Sequence, residues 1–212
     1  ELSSMAKDNF RYRTQKILQI LLVVYVGLTL VETVLLRMAG MSWFEAVCNS
    51  FSTIATGGFC TRNASIAAYG SLWIEMIVVF FMAVSGLHFG LIFATLTGKS
   101  NNIFRSEISR YYVLSLLLGG LIVSVSLWAS DMYPTFASSM RYGFFQVVSV
   151  SSTTGFATAD SSVWTPLAIM VLTLFTMQCA CAGSTAGGIK CDRVLLALKT
   201  IRAMMIRRKH PN

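Results

Sequence analysis

Residues 52–61 read STIATGGFCT and residues 149–158 read SVSSTTGFAT. Both are uncharged runs of Ser, Thr and Gly set among long apolar segments. Overlaid at an offset of 97 residues they match at Ser52/Ser149, Thr56/Thr153, Gly58/Gly155, Phe59/Phe156, Thr61/Thr158 and Ser65/Ser162, six identities within 14 positions. Self-similarity at a fixed offset marks a repeated structural unit.

The segments around these runs have the composition of a membrane protein. Of 212 residues 55% are hydrophobic and 12% are charged, where a soluble domain carries about 25% charged residues; mean hydropathy is +0.65. Apolar runs at 17–36, 72–93, 112–129 and 163–182 each approach the ~20 residues that cross a ~30 Å hydrocarbon core. A soluble helical protein with four such segments would have too little polar surface to cover them. The net charge of +8 does not point to nucleic acid, because its distribution follows the spans. Lys7, Arg11, Arg13 and Lys16 precede the first. Lys99, Arg105 and Arg110 separate the second from the third, and Lys190, Arg193, Lys199, Arg202, Arg207, Arg208 and Lys209 follow the last. Basic clusters at alternate span ends place both termini and the 98–110 connection in the cytoplasm by the positive-inside rule. The C-terminal cluster also suits anionic lipid.

Each repeat has one plan: a span, a short apolar segment, the Thr/Gly run, and a second span. The first unit, 1–98, is expected to comprise a span at 17–38, a short helix at 42–51, a loop at 52–59 and a span at 72–93. The second, 99–212, is expected to comprise a span at 112–129, a short helix at 135–148, a loop at 149–156 and a broken span at 163–206. The short helices cannot cross a bilayer and read as re-entrant. Two crossings per unit make the repeats parallel rather than inverted. Non-helical backbone at membrane depth survives only when buried in protein or lining a watery path. Carbonyls of a Thr/Gly loop, pointing inward together, can replace an ion's hydration shell as in a potassium filter. Taken singly, each run also reads as an interhelix turn.

The stretches GMSWFEAVCNSFSTIATGGF and FFQVVSVSSTTGF resemble the second and third helix–pore–helix units of the Trk/Ktr/HKT superfamily of potassium transporters, most closely its TrkH-type membrane subunits. The resemblance implies an all-α polytopic fold: two parallel helix–pore–helix repeats with re-entrant pore helices and filter loops, half of a four-unit pseudo-fourfold ion channel. Thr56, Gly57, Gly58 and Phe59 would then be one filter strand, and Thr153, Thr154, Gly155 and Phe156 another. Potassium would be held by the backbone carbonyls of Thr56, Gly57, Gly58, Thr153, Thr154 and Gly155. In the family a serine in place of a filter glycine accompanies sodium passage, so glycine at 58 and 155 favours potassium. CAGSTAGGIK at 181–190 resembles the family's intramembrane gate, which would comprise Gly183, Ser184, Thr185, Ala186, Gly187 and Gly188. Close helix packing through small residues is the other reading of that stretch. The resemblance further implies a homodimer in the cell inner (plasma) membrane and a cytosolic nucleotide-binding regulatory subunit facing 98–110 and 190–209. Two strands cannot encircle an ion, so the chain is expected to be a piece of a longer polypeptide, or else to pair with a second copy.

Other residues read more plainly. Glu75 and His88 fall within a span, where an ionisable group is a functional candidate; His88 in SGLHFG reads as structural. Glu45 and Asp160 sit at the mouths of the two loops and serve either to concentrate cations or to cap helices. Trp43, Trp73, Trp128 and Trp164 read as an interfacial belt. The cysteines at 48, 60, 179, 181 and 191 lack metal spacing, and with two histidines there is no basis for an enzyme. A non-conducting membrane scaffold with re-entrant structural loops is the alternative reading.

Overall fold

A computed structural model describes residues 2–98, 103 and 106–209, with side chains described between 15 and 205. Of the expected cytoplasmic charges, Lys99 and Arg105 lie outside the described residues, as do the side chains of Lys7, Arg11, Arg13, Arg207, Arg208 and Lys209.

Helix α1, Leu2–Met38, contains a 24-residue apolar stretch, Gln15–Met38, about 36 Å long at 1.5 Å per residue. It stops where Gly40 takes a φ of 106° and the Met41 N–H returns to the Leu36 carbonyl. Two residues later Ser42 and Glu45 cap each other reciprocally and start α2, Trp43–Ile54, as the S-x-x-E spacing dictates. Helices α3, Leu72–Ser85, and α4, Phe89–Leu96, follow. Ser106 caps α5, Glu107–Ala129, and Thr135 caps α6, Phe136–Ser151. Helix α7, Pro166–Met177, begins with a Thr165 cap and a proline in its first turn, where the missing N–H costs nothing. A two-residue parallel ladder joins β1, Gln178–Cys179, to β2, Ile189–Lys190, and α8, Cys191–Lys209, closes the described chain.

Four element bounds differ from the sequence expectation. The short helices end at Ile54 and Ser151, three residues into each stretch expected as loop, because their last hydroxyl residues continue the helical hydrogen bonding. The second expected span, 72–93, is not one helix. It breaks at Gly86–His88 into α3 and α4, bent by 103°. The last span is interrupted over 178–190 rather than at 183–188 alone. Within the described residues α1 and α5 are each long and apolar enough to cross a membrane, the bent α3–α4 pair is a third candidate, and α7 is a shorter apolar helix of 12 residues.

Small hydroxyl residues are buried within an apolar core of residues such as Phe81, Tyr112 and Phe145, and large apolar residues also cover the outside. Helix α1 lies on α2 and α4, and α5 lies on α6 and α7. Ser50, Ser85, Ser124, Ser139, Ser149 and Thr53 are wholly buried, while Leu18, Leu22, Leu30, Leu118 and Met170 face outward. Hydrocarbon outside removes the incentive to bury leucine, so close backbone approach and internal hydrogen bonds set the interior. Gly119 and Gly120 on α5 leave room for Phe175 of α7 and Phe144 of α6, whose rings lie 2.3 and 2.6 Å from where a Cβ would stand. The two halves of the chain are joined by a bidentate ion pair. Arg141 on α6 donates from Nε and Nη2 to both oxygens of Glu75 on α3, at 2.6 and 2.7 Å. Glu75 is 5% exposed and Arg141 30%, so the desolvated carboxylate depends on this fork.

Replacing Arg141 with Met strands that carboxylate. The expected cost is about 3 kcal/mol, near the lower end for a broken buried pair because Arg141 is partly solvated. Thermal unfolding of the detergent-solubilised protein should show a clear fall in midpoint, with Arg141→Lys intermediate and the Glu75→Gln/Arg141→Met double variant less damaged than Arg141→Met alone.

Candidate functional site

The two Thr/Gly runs leave their helices along the same path. Ala55 and Ser152, the last caps of α2 and α6, share φ −76° and ψ −4°. The next residue returns its N–H to the helix, Thr56 to Thr53 at 3.1 Å and Thr153 to Val150 at 3.0 Å. The one after does the same, Gly57 to Ser52 at 2.7 Å and Thr154 to Ser149 at 3.0 Å. Thr56 and Thr153 then take φ 52° and 59°, and Gly58 and Gly155 take 71° and 85°. A left-handed β-branched residue costs roughly 1–2 kcal/mol, and such strain, held twice at matched positions, clusters at functional sites.

The loops meet each other. A Cβ on Gly58 would stand 2.0 Å from the Thr154 carbonyl oxygen, whereas one on Gly155 would meet nothing within 4 Å. Beyond them Ala67 N–H donates to the Ala157 carbonyl and Ala157 N–H to the Ser65 hydroxyl, both at 3.2 Å. The second loop is braced from within. Ser149 Oγ donates to the Phe156 carbonyl at 2.6 Å, and the Ser152 and Thr154 hydroxyls pair at 2.7 Å. Phe156 is wholly buried; its counterpart Phe59 is 83% exposed beside a recess of about 590 Å³ lined by Tyr25, Phe51, Ser52 and Gly57.

The 180–188 loop lies against the second of these runs. The β1–β2 ladder closes its base, and the Cys191 N–H bonds the Ala180 carbonyl at 3.1 Å. Gly187 N–H donates to the Thr153 hydroxyl at 2.9 Å, tying this loop directly to the second Thr/Gly run. Thr185 Oγ1 donates to the Ser85 carbonyl at 3.4 Å, and the Lys190 ammonium donates to the Ala186 carbonyl. The break in α3–α4 completes the arrangement. Cys181 N–H bonds the Gly86 carbonyl at 3.0 Å and Phe89 N–H bonds the Gly183 carbonyl at 3.1 Å. His88 caps α4 by accepting from Gly90 N–H at 3.0 Å, with its ring pressed against Gly183. A groove of about 630 Å³ between α1 and Gly183–Thr185 runs along Leu18, Leu21, Leu22 and Tyr25.

The structure thus brings Thr56–Phe59 against Thr153–Phe156 and puts Gly187 on Thr153. Glu45 bonds Arg62 at 2.8 Å; that guanidinium, with the Ser42 hydroxyl, holds the carboxyl below its ordinary range. Asp160 caps a short turn through Ser162, whose hydroxyl likewise holds its carboxyl low. Both acids are therefore tied locally. Trp164 is buried and donates to the Tyr133 hydroxyl at 3.3 Å, unlike the exposed Trp43, Trp73 and Trp128. Among the described residues no group of His, Cys, Asp and Glu is placed to hold a metal ion. Sequence reading missed the Gly86–His88 break, the Glu75–Arg141 pair and Glu32. Glu32 had a signal, since an acid inside a span is a candidate by default.

Three substitutions and one cysteine reporter test this geometry. Gly58→Ala drives a methyl into the Thr154 carbonyl, so its stability loss should be at least about twice that of Gly155→Ala, which incurs only the left-handed strain of about 1–2 kcal/mol. Parallel thermal unfolding checks the ratio. Thr153→Val removes the acceptor for Gly187 N–H, worth about 1 kcal/mol, and should speed thiol labelling of a Ser184→Cys reporter several-fold.

Known proteins share this sequence and architecture. The sequence profile of TrkH, a cation transport protein family, matches residues 2–119 and 130–212. The Trk system potassium uptake protein TrkH of Salmonella typhimurium is 37% identical over 215 aligned residues, covering 100% of this chain and 44% of that protein. The protein of the same name from Halomonas elongata is 38% identical over 192 residues, covering 89% of this chain and 39% of its own length. The crystal structure of the potassium transporter TrkH from Vibrio parahaemolyticus superposes with a TM-score of 0.89 at 31% identity, over 94% of this chain and 43% of that one. The chain spans less than half the length of these relatives. With the profile matching both halves, this chain belongs to the TrkH family of cation transport proteins.

Proposed function

We propose that this chain supplies two helix–pore–helix units of a potassium uptake protein of the cell inner membrane, with potassium as its substrate. In this reading α2 and α6 are re-entrant pore helices. Thr56–Phe59 and Thr153–Phe156 are filter strands whose backbone carbonyls replace the ion's hydration shell, and Gly183–Gly188 is the gate. The observation that carries it is the pair of matched loops. At an offset of 97 residues the same left-handed Thr and Gly positions recur at the ends of two helices, and the loops touch at Gly58 and Thr154. An ion path built from repeated units requires that arrangement, whereas unrelated interhelix turns have no reason to share it. The names of the relatives support potassium as the ion. Both termini of the segment face the cytoplasm in this reading, where 98–110 and 190–209 meet a nucleotide-binding regulatory subunit. Two further units, from the same polypeptide or a second copy, complete the ring, and the assembly is a homodimer.

The test is growth of a potassium-uptake-deficient strain carrying the complete transporter, with Gly155 intact or changed to Ser. The intact form should rescue growth at low potassium, and the serine form should lose preference for potassium over sodium. Equal rescue with equal preference would remove the TTGF run from the ion path and leave a membrane scaffold.

A further inference from the structure

The two matched loops are held by different means. In the second, Ser149 bonds the Phe156 carbonyl and Ser152 bonds Thr154. At the same offset the first loop has Ala55 for Ser152 and Gly57 for Thr154, neither of which can make such a bond. Its Ser52 hydroxyl, equivalent to Ser149, is buried without a partner. Phe59 is exposed where Phe156 is buried. The first loop therefore shares the backbone returns of the second and has a Thr56 hydroxyl bond to the Ala55 carbonyl, but it lacks the two side-chain bonds that brace the second run.

What stands behind the first loop instead is Glu32. This acid on α1 is 0% exposed, and neither carboxyl oxygen meets a hydrogen-bond partner of ordinary geometry. The ion pairs among the described residues join Glu45 to Arg62, Glu75 to Arg141 and Glu107 to Lys199; Glu32 is in none. The Thr53 hydroxyl of α2 lies beside it. That hydroxyl donates to the Asn49 carbonyl at 2.8 Å, so its own lone pairs remain open. The neighbouring hydroxyls on α1 are already committed: Thr29 donates to Tyr25 and Thr33 to Thr29, both at 2.8 Å. A buried acid without a cation beside it is held most cheaply as COOH, whose O–H can donate to Thr53 Oγ1. Thr53 in turn is the residue whose carbonyl receives the Thr56 N–H at 3.1 Å and shares the Ala55 N–H. In the second unit Val150 occupies this place and needs no such support.

We infer that Glu32 is a positioning residue for the ion path: its buried carboxyl braces the last turn of α2 through Thr53 and so fixes the left-handed Thr56 from which the first loop departs. The inference rests on the filter reading of that loop. It makes α1, and not only the loops, part of what sets ion preference.

The test uses the complete transporter bearing Glu32→Gln, Glu32→Leu, Thr53→Val and the Glu32→Leu/Thr53→Val double variant. Preference is read from rubidium uptake in competition with potassium and with sodium, at matched membrane abundance. The amide of Glu32→Gln can still donate, so its preference should stay within about twofold of the parent. Glu32→Leu should lower preference about fivefold, the factor one net hydrogen bond is worth; Thr53→Val should do the same, and the double variant should lose no more than either. Parental preference in Glu32→Leu overturns the inference, as does a Gln form as impaired as the Leu form. If Glu32→Leu fails to accumulate, Thr53→Val carries the test, and its parental preference is equally fatal. Gly155→Ser separates the two layers. If it too leaves preference unchanged the filter reading has failed, and if it alone shifts preference only the bracing by Glu32 is wrong.

Discussion

Inside a bilayer an unpaired backbone N–H or C=O costs several kcal/mol, and this chain abandons regular helix repeatedly at buried positions. Its solution is to make the interruptions serve each other. The break between α3 and α4 exposes the Gly86 carbonyl and the Phe89 N–H; the break after α7 supplies the Cys181 N–H and the Gly183 carbonyl that meet them. Straightening either segment would leave polar groups unpaired in the other. The same exchange links Ala67 with Ala157 and Ser65 beyond the two Thr/Gly runs. Residues about 90–100 positions apart in sequence therefore form one hydrogen-bonded unit, which small side chains such as Gly86, against the Tyr112 hydroxyl, allow to close.

Buried charge obeys the same accounting by two routes. Glu75 is desolvated but receives a two-pronged guanidinium from the other half of the chain, so its burial doubles as a clamp between halves. Among the described residues Glu32 is in no ion pair, and in the proposed bracing its carboxyl pairs with a neutral oxygen. The first arrangement is sensitive to removal of either partner, the second to loss of hydrogen-bonding capacity rather than of charge.

Much of this was legible in the residues and some was not. The 97-residue offset, the helix starts at Ser42 and Thr135 and the polar character of 180–188 come from local chemistry: capping hydroxyls, glycine, and serine or threonine where leucine would be expected. The break at 86–88 left only a weak mark, the glycines and His88 of SGLHFG. Its flanks, VVFFMAVS and FGLIFATL, are as apolar as any continuous span, and the bend exists because a distant loop offers partners for the freed backbone groups. The helix ends at Ile54 and Ser151 were misplaced for a related reason. Ser, Thr and Gly favour turns when read singly, but here Thr53 and Ser149 spend their hydroxyls on buried carbonyls and stay helical. Asymmetry between the units was invisible in the six identities, since it resides in the positions that differ, Ala55 against Ser152 and Gly57 against Thr154.

That asymmetry bears on how the 180–188 loop can move. Its base is fixed by the β1–β2 ladder, the Cys191–Ala180 bond and the Asp192 carboxylate on the Ala182 N–H. Its first turn is held by the α3–α4 break. The tip has less: side-chain bonds from Thr185 to Ser85 and from Lys190 to Ala186, and the Gly187 bond to Thr153. Local opening follows the segment with the fewest buried contacts and bonds, so the tip can be released while the base stays closed. One of the bonds to be broken ends on Thr153, which belongs to the internally braced run. A loop latched onto a rigid strand can let go without dragging that strand with it. Had the latch ended on Thr56, whose run lacks the side-chain braces of the second, each opening would also have loosened the proposed filter. The division of labour between the two repeats thus suits the proposed ion path, in which the 183–188 loop would open while the proposed filter keeps its geometry.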